Sequence, residues 1–395
     1  MKNFVFISPN FPDNYWNFCR RLRENGLRVL GVGDCPYDDL AWELRESLDE
    51  YYKVDSLENY DSVYRAAAFF IHKYGRIDWL ESNNEYWLER DARLREDFNI
   101  STGFRPADMP FVKCKSLMKQ RYALAGIPTA RFHMVDDFDG CAAFIREVGF
   151  PVIVKPDNGV GAVSTYKLRS EDDLRQFLDI RDDAEYIMEE FIDGTVNSYD
   201  AIVNSAGEPL FETGNVTPRS LMDVVNENGS SCFYIRGALP EDIRARGRAA
   251  LKAFGVKSRF VHFEFFRLNC DQPMGKQGEV VALEVNMRPS GGISPSMMNY
   301  ANGTDVYKIW ADMIAFDETR KGREASQYCV FAGRRDARSY VMGREEVLAE
   351  YAPHIREEGR VDAALAADMG DYMFLACFDT LEEVNAFLGQ VFAEK

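Results

Sequence analysis

The sequence predicts a mixed chain, an α/β N-terminal portion followed by an α+β remainder, on three observations. Strand and helix patterns alternate through residues 1–110, as in a parallel sheet covered by helices. From the middle onward, long extended segments are joined by turn residues, as in antiparallel sheets. One of those segments, VALEVNMRPSGG, carries Glu284, Asn286 and Arg288 at every second position and then breaks into Pro-Ser-Gly-Gly. Successive strand side chains point to opposite faces, so the three polar groups share one line. Val281, Leu283, Val285 and Met287 are expected on the other face.

In chain order, FVFIS (4–8) reads as a strand, and YWNFCRRLRENG as an amphipathic helix stopped by Gly26. LRVLGVG is a strand, SVYRAAAFFIHKYG a helix ending on glycine, and IDWLES the next strand. GFRPADMPF marks a break. KSLMKQRYALAG is then a helix with a glycine stop. FPVIVKP, VSTYKLR and YIMEEFI are strands, with a helix after Ser170 that Asp173 completes as a capping-box-like start. DAIVNSAGEPLFETGNV, RFVHFEFFRL and GEVVALEVNM are extended. YCVFAGRR, DYMFLACF and a last helix, TLEEVNAFLGQVFAEK, form the tail.

The composition narrows the function classes. With 395 residues, 46% hydrophobic and 28% charged, the chain suits a soluble protein of two or three domains. Its 64 acidic against 47 basic side chains argue against nucleic acid as a partner. The N-terminus lacks a signal peptide's apolar core, and no apolar run is long enough to span a membrane. The 8 cysteines are scattered without C-x-x-C, as expected of a reduced, cytoplasmic protein.

Four groups of residues carry chemistry. Glu284 and Asn286, with Glu264 and His262 on RFVHFEFFRL, offer oxygen donors of the kind hard cations take. Polar residues on a half-exposed sheet would look similar, but the apolar neighbours of Glu264 make a lone carboxylate there costly. Lys155 ends a strand and precedes Asp157-Asn158-Gly159-Val160-Gly161-Ala162, a turn whose glycines let backbone N–H groups approach phosphate. An ordinary glycine hairpin reads the same way. Glu189-Glu190-Phe191-Ile192 offers backbone groups and an apolar wall, or is a plain hinge with surface glutamates. Lys115 opens a helix, where the dipole disfavours a cation.

Taken in order, lysine helix, strand-Lys-Pro-Gly loop, Glu-Glu hinge, Glu strand and Glu-x-Asn-x-Arg-Pro resemble the ATP-grasp superfamily over residues 75 to 315. The resemblance implies a Rossmann-like βαβ domain (1–110) before a two-subdomain ATP-grasp fold. The first subdomain would span 111–190, the second 191–320, with an α+β extension over 321–395. It further implies ATP and Mg²⁺ (or Mn²⁺). Lys115 and Lys155 would contact phosphates, under a closing loop of 157–164 that includes Ser164. Backbone at Glu189 to Ile192 would hold adenine, and Glu264, Glu284 and Asn286 the metal. Arg288 would stabilise the transferred phosphoryl group, with His262 beside it. Where many relatives place a ribose-binding Glu, this chain has Val196, so the ribose contact comes from elsewhere, Asp193 being one candidate, or is missing.

The implied activity is a carboxylate–amine (or carboxylate–thiol) ligase that activates a small, amino-acid-like carboxylate as an acylphosphate and joins it to an amine or similar nucleophile. A small-molecule kinase and a non-catalytic nucleotide sensor are the alternatives. Substrate contacts are expected from Ser290, Gly291 and Gly292 and from Arg219 and Arg236, since a guanidinium suits a carboxylate. Arg334 and Arg335 read as a solvated turn. Oligomeric state stays open, a homodimer being one option.

Overall fold

Three sheets organise the computed structural model, which describes residues 1–159, 164–218 and 229–395. The first is parallel, in the order β3-β2-β1-β4, from β1 (Asn3–Ile7), β2 (Arg28–Gly33), β3 (Glu50–Lys53) and β4 (Trp79–Glu81). Every residue of β1 is buried because both faces are covered. Val5 and Ile7 pack toward helix Tyr60–Tyr74. Phe4 and Phe6 pack toward helix Trp16–Glu24 and toward helix Val306–Phe316, which comes from far along the chain. The Phe4 and Trp310 rings meet edge-on at 5.6 Å between centroids, docking the N-terminal sheet onto the later part of the molecule.

The second sheet is antiparallel, β5-β8-β6-β7, built from β5 (Phe132–Met134), β6 (Val152–Pro156), β7 (Tyr166–Leu168) and β8 (Tyr186–Glu190). Helices Phe138–Val148 and Glu171–Ile180 contribute to the core beneath it. The Ser170 side chain caps the second of these by accepting from the Asp173 N–H. The Asp173 carboxylate reaches back one residue further than a capping box requires, to the Arg169 N–H at 2.6 Å.

The third sheet contains β9 (Gly194–Val203), β10 (Pro209–Thr213), β11 (Asn215–Thr217), β12 (Ser231–Ile235), β13 (Arg259–Leu268), β14 (Val280–Asn286), β15 (Tyr328–Arg334), β16 (Ile355–Arg360) and β17 (Tyr372–Phe378). Its order is β14-β13-β9-β11-β12-β15-β17-β16, with β10 sharing an edge of β9 with β11. The tail strands therefore continue the sheet that carries Glu264 and Glu284, through five residue pairs between β12 and β15.

Two expectations need correction. Arg334 and Arg335 are not a solvated turn, each being 6% exposed. Arg334 donates to the Val391 and Met342 carbonyls, and Arg335 to those of Gly229, Ala366 and Ala367. The Val391 carbonyl ends helix Leu381–Val391, where carbonyls lack partners within the helix, and a guanidinium supplies several donors at once. The second correction concerns β14. Glu264 pairs with Glu284 but Phe265 pairs with Ala282, so Leu283 is an extra residue in a bulge. Val281 consequently lies opposite Phe266 and packs with Ile192 and Leu268, whereas Ala282, Val285 and Met287 join the core on the far side.

No helix among the described residues is long and apolar enough to cross a membrane.

Candidate functional site

The polar line of β14 finds its counterpart on two neighbouring strands. Glu264 stands directly across from Glu284, and His262 across from Asn286. On the other edge of β13, Ser198 faces Glu264 and Asp200 faces His262. Phe263 and Phe265 alternate to the opposite, apolar face, which holds the register in place.

These groups form one chain of hydrogen bonds. The Asn215 N–H donates to Ser198 Oγ at 2.8 Å, and Ser198 donates to Asp200. Asp200 Oδ1 lies 2.8 Å from His262 Nδ1, and His262 Nε2 lies 3.2 Å from Glu264 Oε1. Burial works against charge on the imidazole, but the Asp200 and Glu264 carboxylates on either side outweigh it and raise its pKa to about 10. Burial likewise works to raise Glu264, yet the His262 cation holds that carboxyl below its ordinary value. Glu284 has no hydrogen-bonded cation among the described residues. Burial first, and then the Glu264 carboxylate, push it up. Two facing carboxylates in these opposed states, with the Asn286 amide beside them, are a donor set suited to a hard divalent cation.

The lysines approach from the second sheet and the helix before it. Lys155, at the end of β6, is 8% exposed and pairs with Glu189 Oε2 at 2.8 Å. Lys119, one turn beyond Lys115 on helix Lys115–Leu124, pairs with Glu189 Oε1 at 2.6 Å. Held between two cations, the Glu189 carboxyl falls to about 2 although burial opposes its charge. Lys155 stays charged against burial because of Glu189 and then Glu284. Lys115 is pulled down chiefly by burial, with Glu284 opposing and Lys155 adding to the fall. Both lysines therefore lie within electrostatic reach of Glu284, and the two sheets face one another across the site.

Lys115 is tolerated at its helix start because Asp157 covers that end. The Ser116 N–H and hydroxyl donate to the Asp157 carboxylate at 2.7 and 2.8 Å. The Asp157 carbonyl accepts from the Lys115 N–H at 3.0 Å, and the Gly159 carbonyl takes the Lys115 ammonium at 3.3 Å. Asn158 bridges to Cys114, and Ser164 has φ +58°. Gly161 and Ala162 lie outside the described residues.

In the hinge, the Glu190 carboxylate is occupied by Arg131, through Nε at 2.9 Å and Nη2 at 2.7 Å, and its N–H by the Arg131 carbonyl. Lys167 sits 4.0 Å from the Phe191 ring centroid. Ile192, Val281, Leu268 and Ala130 make a small apolar cluster next to the lysines and carboxylates, with Phe266 packed against it. Val196 is paired with Phe266. Asp193 is engaged by its own loop, accepting from Asn269 Nδ2 at 2.8 Å.

Arg288 donates to the Pro289 carbonyl at 2.7 Å and to Asn286 Oδ1 at 3.4 Å, which keeps it on the polar line. Ser290 and Gly292 are buried and Gly291 is exposed. Arg236 follows β12, and its Nε is buried without a hydrogen-bond partner among the described residues. Arg219 lies outside the described residues.

Sequence reasoning missed Lys119, Ser198, Asp200, Arg131 and Arg259. Lys119 repeats the helical period of Lys115, and Ser198 and Asp200 alternate in one strand with Tyr199 and Ala201 between and after them, so both signals were present. Arg259 had no local signal. It is 2% exposed, donates to the Met287 carbonyl between Asn286 and Arg288, and bridges to Glu81 at the end of β4 at 3.2 Å. Arg95 completes that buried pair from the N-terminal portion at 2.9 Å.

The sheets have the fold of known ligases of the ATP-grasp type, and the site lies where the second and third sheets face one another. The chain is similar to several such proteins. An L-amino acid ligase from Bacillus licheniformis superposes with a TM-score of 0.70 over 99% of this chain and 97% of its own, at 16% identity. N5-carboxyaminoimidazole synthetase from Staphylococcus aureus, complexed with ADP, gives 0.70 over 99% and 97%, at 12% identity. In sequence, the L-arginine-specific L-amino acid ligase of Bacillus subtilis is 26% identical over 254 residues, 62% of this chain and 59% of that protein. D-alanine–D-alanine ligase B of Clostridium perfringens is 30% identical over 120 residues, 27% of this chain and 40% of that protein. The chain thus spans less than two thirds of the length of these two curated relatives. No family model matches it.

Proposed function

We propose that the chain is an ATP-dependent ligase that activates a small, amino-acid-like carboxylate as an acylphosphate and joins it to an amine. The observation that carries this reading is Glu264 facing Glu284, with Asn286 and Arg288 in line and Lys115 and Lys155 opposite. That set neutralises and positions a triphosphate, which is most of what phosphoryl transfer asks of a protein.

In the first step a substrate carboxylate oxygen bonds the γ-phosphorus and ADP leaves. In the second the amine nitrogen bonds the acyl carbon, phosphate leaves, and the nitrogen loses a proton. Lys155 and Lys115 hold phosphate oxygens, and Glu189 keeps Lys155 in place. Arg288 stabilises the negative charge that develops on the phosphoryl group and then on the tetrahedral carbon. His262, kept cationic by Asp200, orients Glu264 and adds positive charge at the same end. Glu264, Glu284 and Asn286 would hold Mg²⁺, which when bound screens the phosphate oxygens from these carboxylates. The Ile192, Val281 and Leu268 cluster suits an adenine ring. The relatives named for amino-acid ligation support this choice of substrate class.

The test is ADP and phosphate release from Mg-ATP with pooled amino acids and small carboxylates, Glu284→Ala running in parallel. Release that needs two pools and vanishes in the variant supports the ligase. ADP without free phosphate makes the protein a kinase, and nucleotide binding without turnover on any pool speaks for a sensor.

A further inference from the structure

A cavity of about 320 Å³ opens between the loop after β1, the loop that follows Arg288, and the tail segment 357–373. Gly292 lines it four residues after Arg288, and a Cβ on Gly291 would come within 3.9 Å of Arg288 Nη1. Gly292 has φ +60°, which glycine adopts without strain, and a Cβ there would lie 3.0 Å from Met369 Sδ, so the two loops approach closely at this residue. Arg335 fixes the far wall by holding the Ala366 and Ala367 carbonyls. The cavity is thus a built feature at the end of the reacting line, and the tail supplies much of it.

Its chemistry is asymmetric. Trp16, Ile293, Met369 and Met373 line an apolar body. The acids around it are Glu357, Asp13 and Asp362, and among the described residues the one basic group lining it, Arg360, is already paired with Asp336. Glu357 is half-buried, and its Oε1 accepts from the Tyr300 hydroxyl at 2.8 Å. Among the described residues no cation lies within ion-pair distance of it. A half-buried carboxylate beside the apolar body, with no ion-paired cation of its own among the described residues, favours a ligand that brings one. The indole face attracts a cation, and the two thioethers pack against an alkyl stem, so both suit the same ligand.

We propose that this cavity binds a substrate group made of an apolar stem ending in a cation, an ammonium or guanidinium, with Glu357 as its counter-charge. The proposal rests on the ligase reading and extends it: of the two substrates, one carries a basic side chain. Glu357 acts as a specificity-determining residue and takes no part in the transfer itself.

The experiment is calorimetric titration of the full chain, with Mg-ADP present, using two pairs of probes matched in shape. L-arginine is compared with L-citrulline, and L-lysine with L-norleucine. ADP binding is measured separately. The expected result is at least tenfold preference for the cationic member of each pair, abolished by Glu357→Gln, which retains an acceptor for Tyr300. Met369→Trp, which fills the cavity, should remove binding of all four. Equal binding within the pairs, a preference that survives Glu357→Gln, or no binding of any probe while ADP still binds would overturn the cation pocket and leave the ligase reading standing. Cation-selective binding in a protein that takes no ADP would do the reverse.

Discussion

Glu264 and Glu284 face each other across one antiparallel pair, and among the described residues only Glu264 has a cation, His262, hydrogen-bonded to it. Glu284 is therefore the member whose charge the fold disfavours, and it is raised by burial and by its partner. A carboxyl raised above its ordinary value destabilises the protein at neutral pH. Glu284→Gln, which removes that charge, should therefore stabilise the metal-free protein and raise its Tm. It should at the same time abolish the extra stabilisation that Mg-ATP gives. Paired thermal melts with and without Mg-ATP check this, and a variant that melts lower in both conditions would refute it.

Glu189 makes the opposite case. Its carboxyl lies at about 2 against an ordinary 4.5, so its contribution is complete above 4.5 and disappears as the pH falls through about 2. The difference corresponds to about 3 kcal/mol. Glu189→Gln leaves Lys119 and Lys155 buried without their shared counter-charge and should cost about 3–5 kcal/mol at pH 7. Urea unfolding of both proteins at descending pH should show the gap narrowing only below pH 4.5. A gap that stays constant with pH would mean that packing and not charge is responsible.

The Asp200–His262 pair predicts a histidine that does not titrate near neutrality. The folded value of about 10 lies above the ordinary 6.5, so its stabilisation is complete below 6.5 and lost as the pH rises through about 10. In proton NMR the His262 ring signal should stay in its cationic position from pH 6 to 8.5. In Asp200→Asn the same signal should titrate within that range, because one of the two carboxylates is gone.

Arg288 is the residue expected to act only on the transition state. Arg288→Ala should lower turnover by about 10²–10³ with little change in ATP affinity. Steady-state kinetics alongside direct nucleotide binding separates the two. An equal loss in both would make Arg288 a ground-state phosphate ligand.

Arg335 is buried among carbonyls, and hydrogen bonds from a charged donor contribute about 1.5–3 kcal/mol each at most. Arg335→Met should destabilise by about 3 kcal/mol and also loosen the wall that Met369 forms. Denaturant midpoints measure the first effect, and hydrogen exchange at residues 366–370 the second.

Much of this site is legible in the sequence because its parts are local and periodic. Glu284, Asn286 and Arg288 fall at every second position, Lys155 ends a strand before glycines, and Lys115 opens a helix where a cation is out of place. Side-chain period depends only on the backbone, so these lines survive without knowledge of the fold. The Leu283 bulge breaks that logic, since an extra residue changes faces without altering composition. Lys119 and Asp200 were periodic as well, but their meaning depends on Glu189 and His262, to which they are joined only in space.

By itself, then, the sequence determined the order of the elements, the alternation of polar and apolar faces, and the ordered motifs that resemble a nucleotide cleft. The tertiary structure alone decided which charges neutralise which. It set Glu189 between Lys119 and Lys155, Arg259 between Glu81 and Met287, and the tail strands beside β12 to wall the cavity at Gly292. The physical reason is that periodicity is a property of neighbouring residues, while the cost of burying a charge depends on partners that only the folded chain brings within a few ångströms.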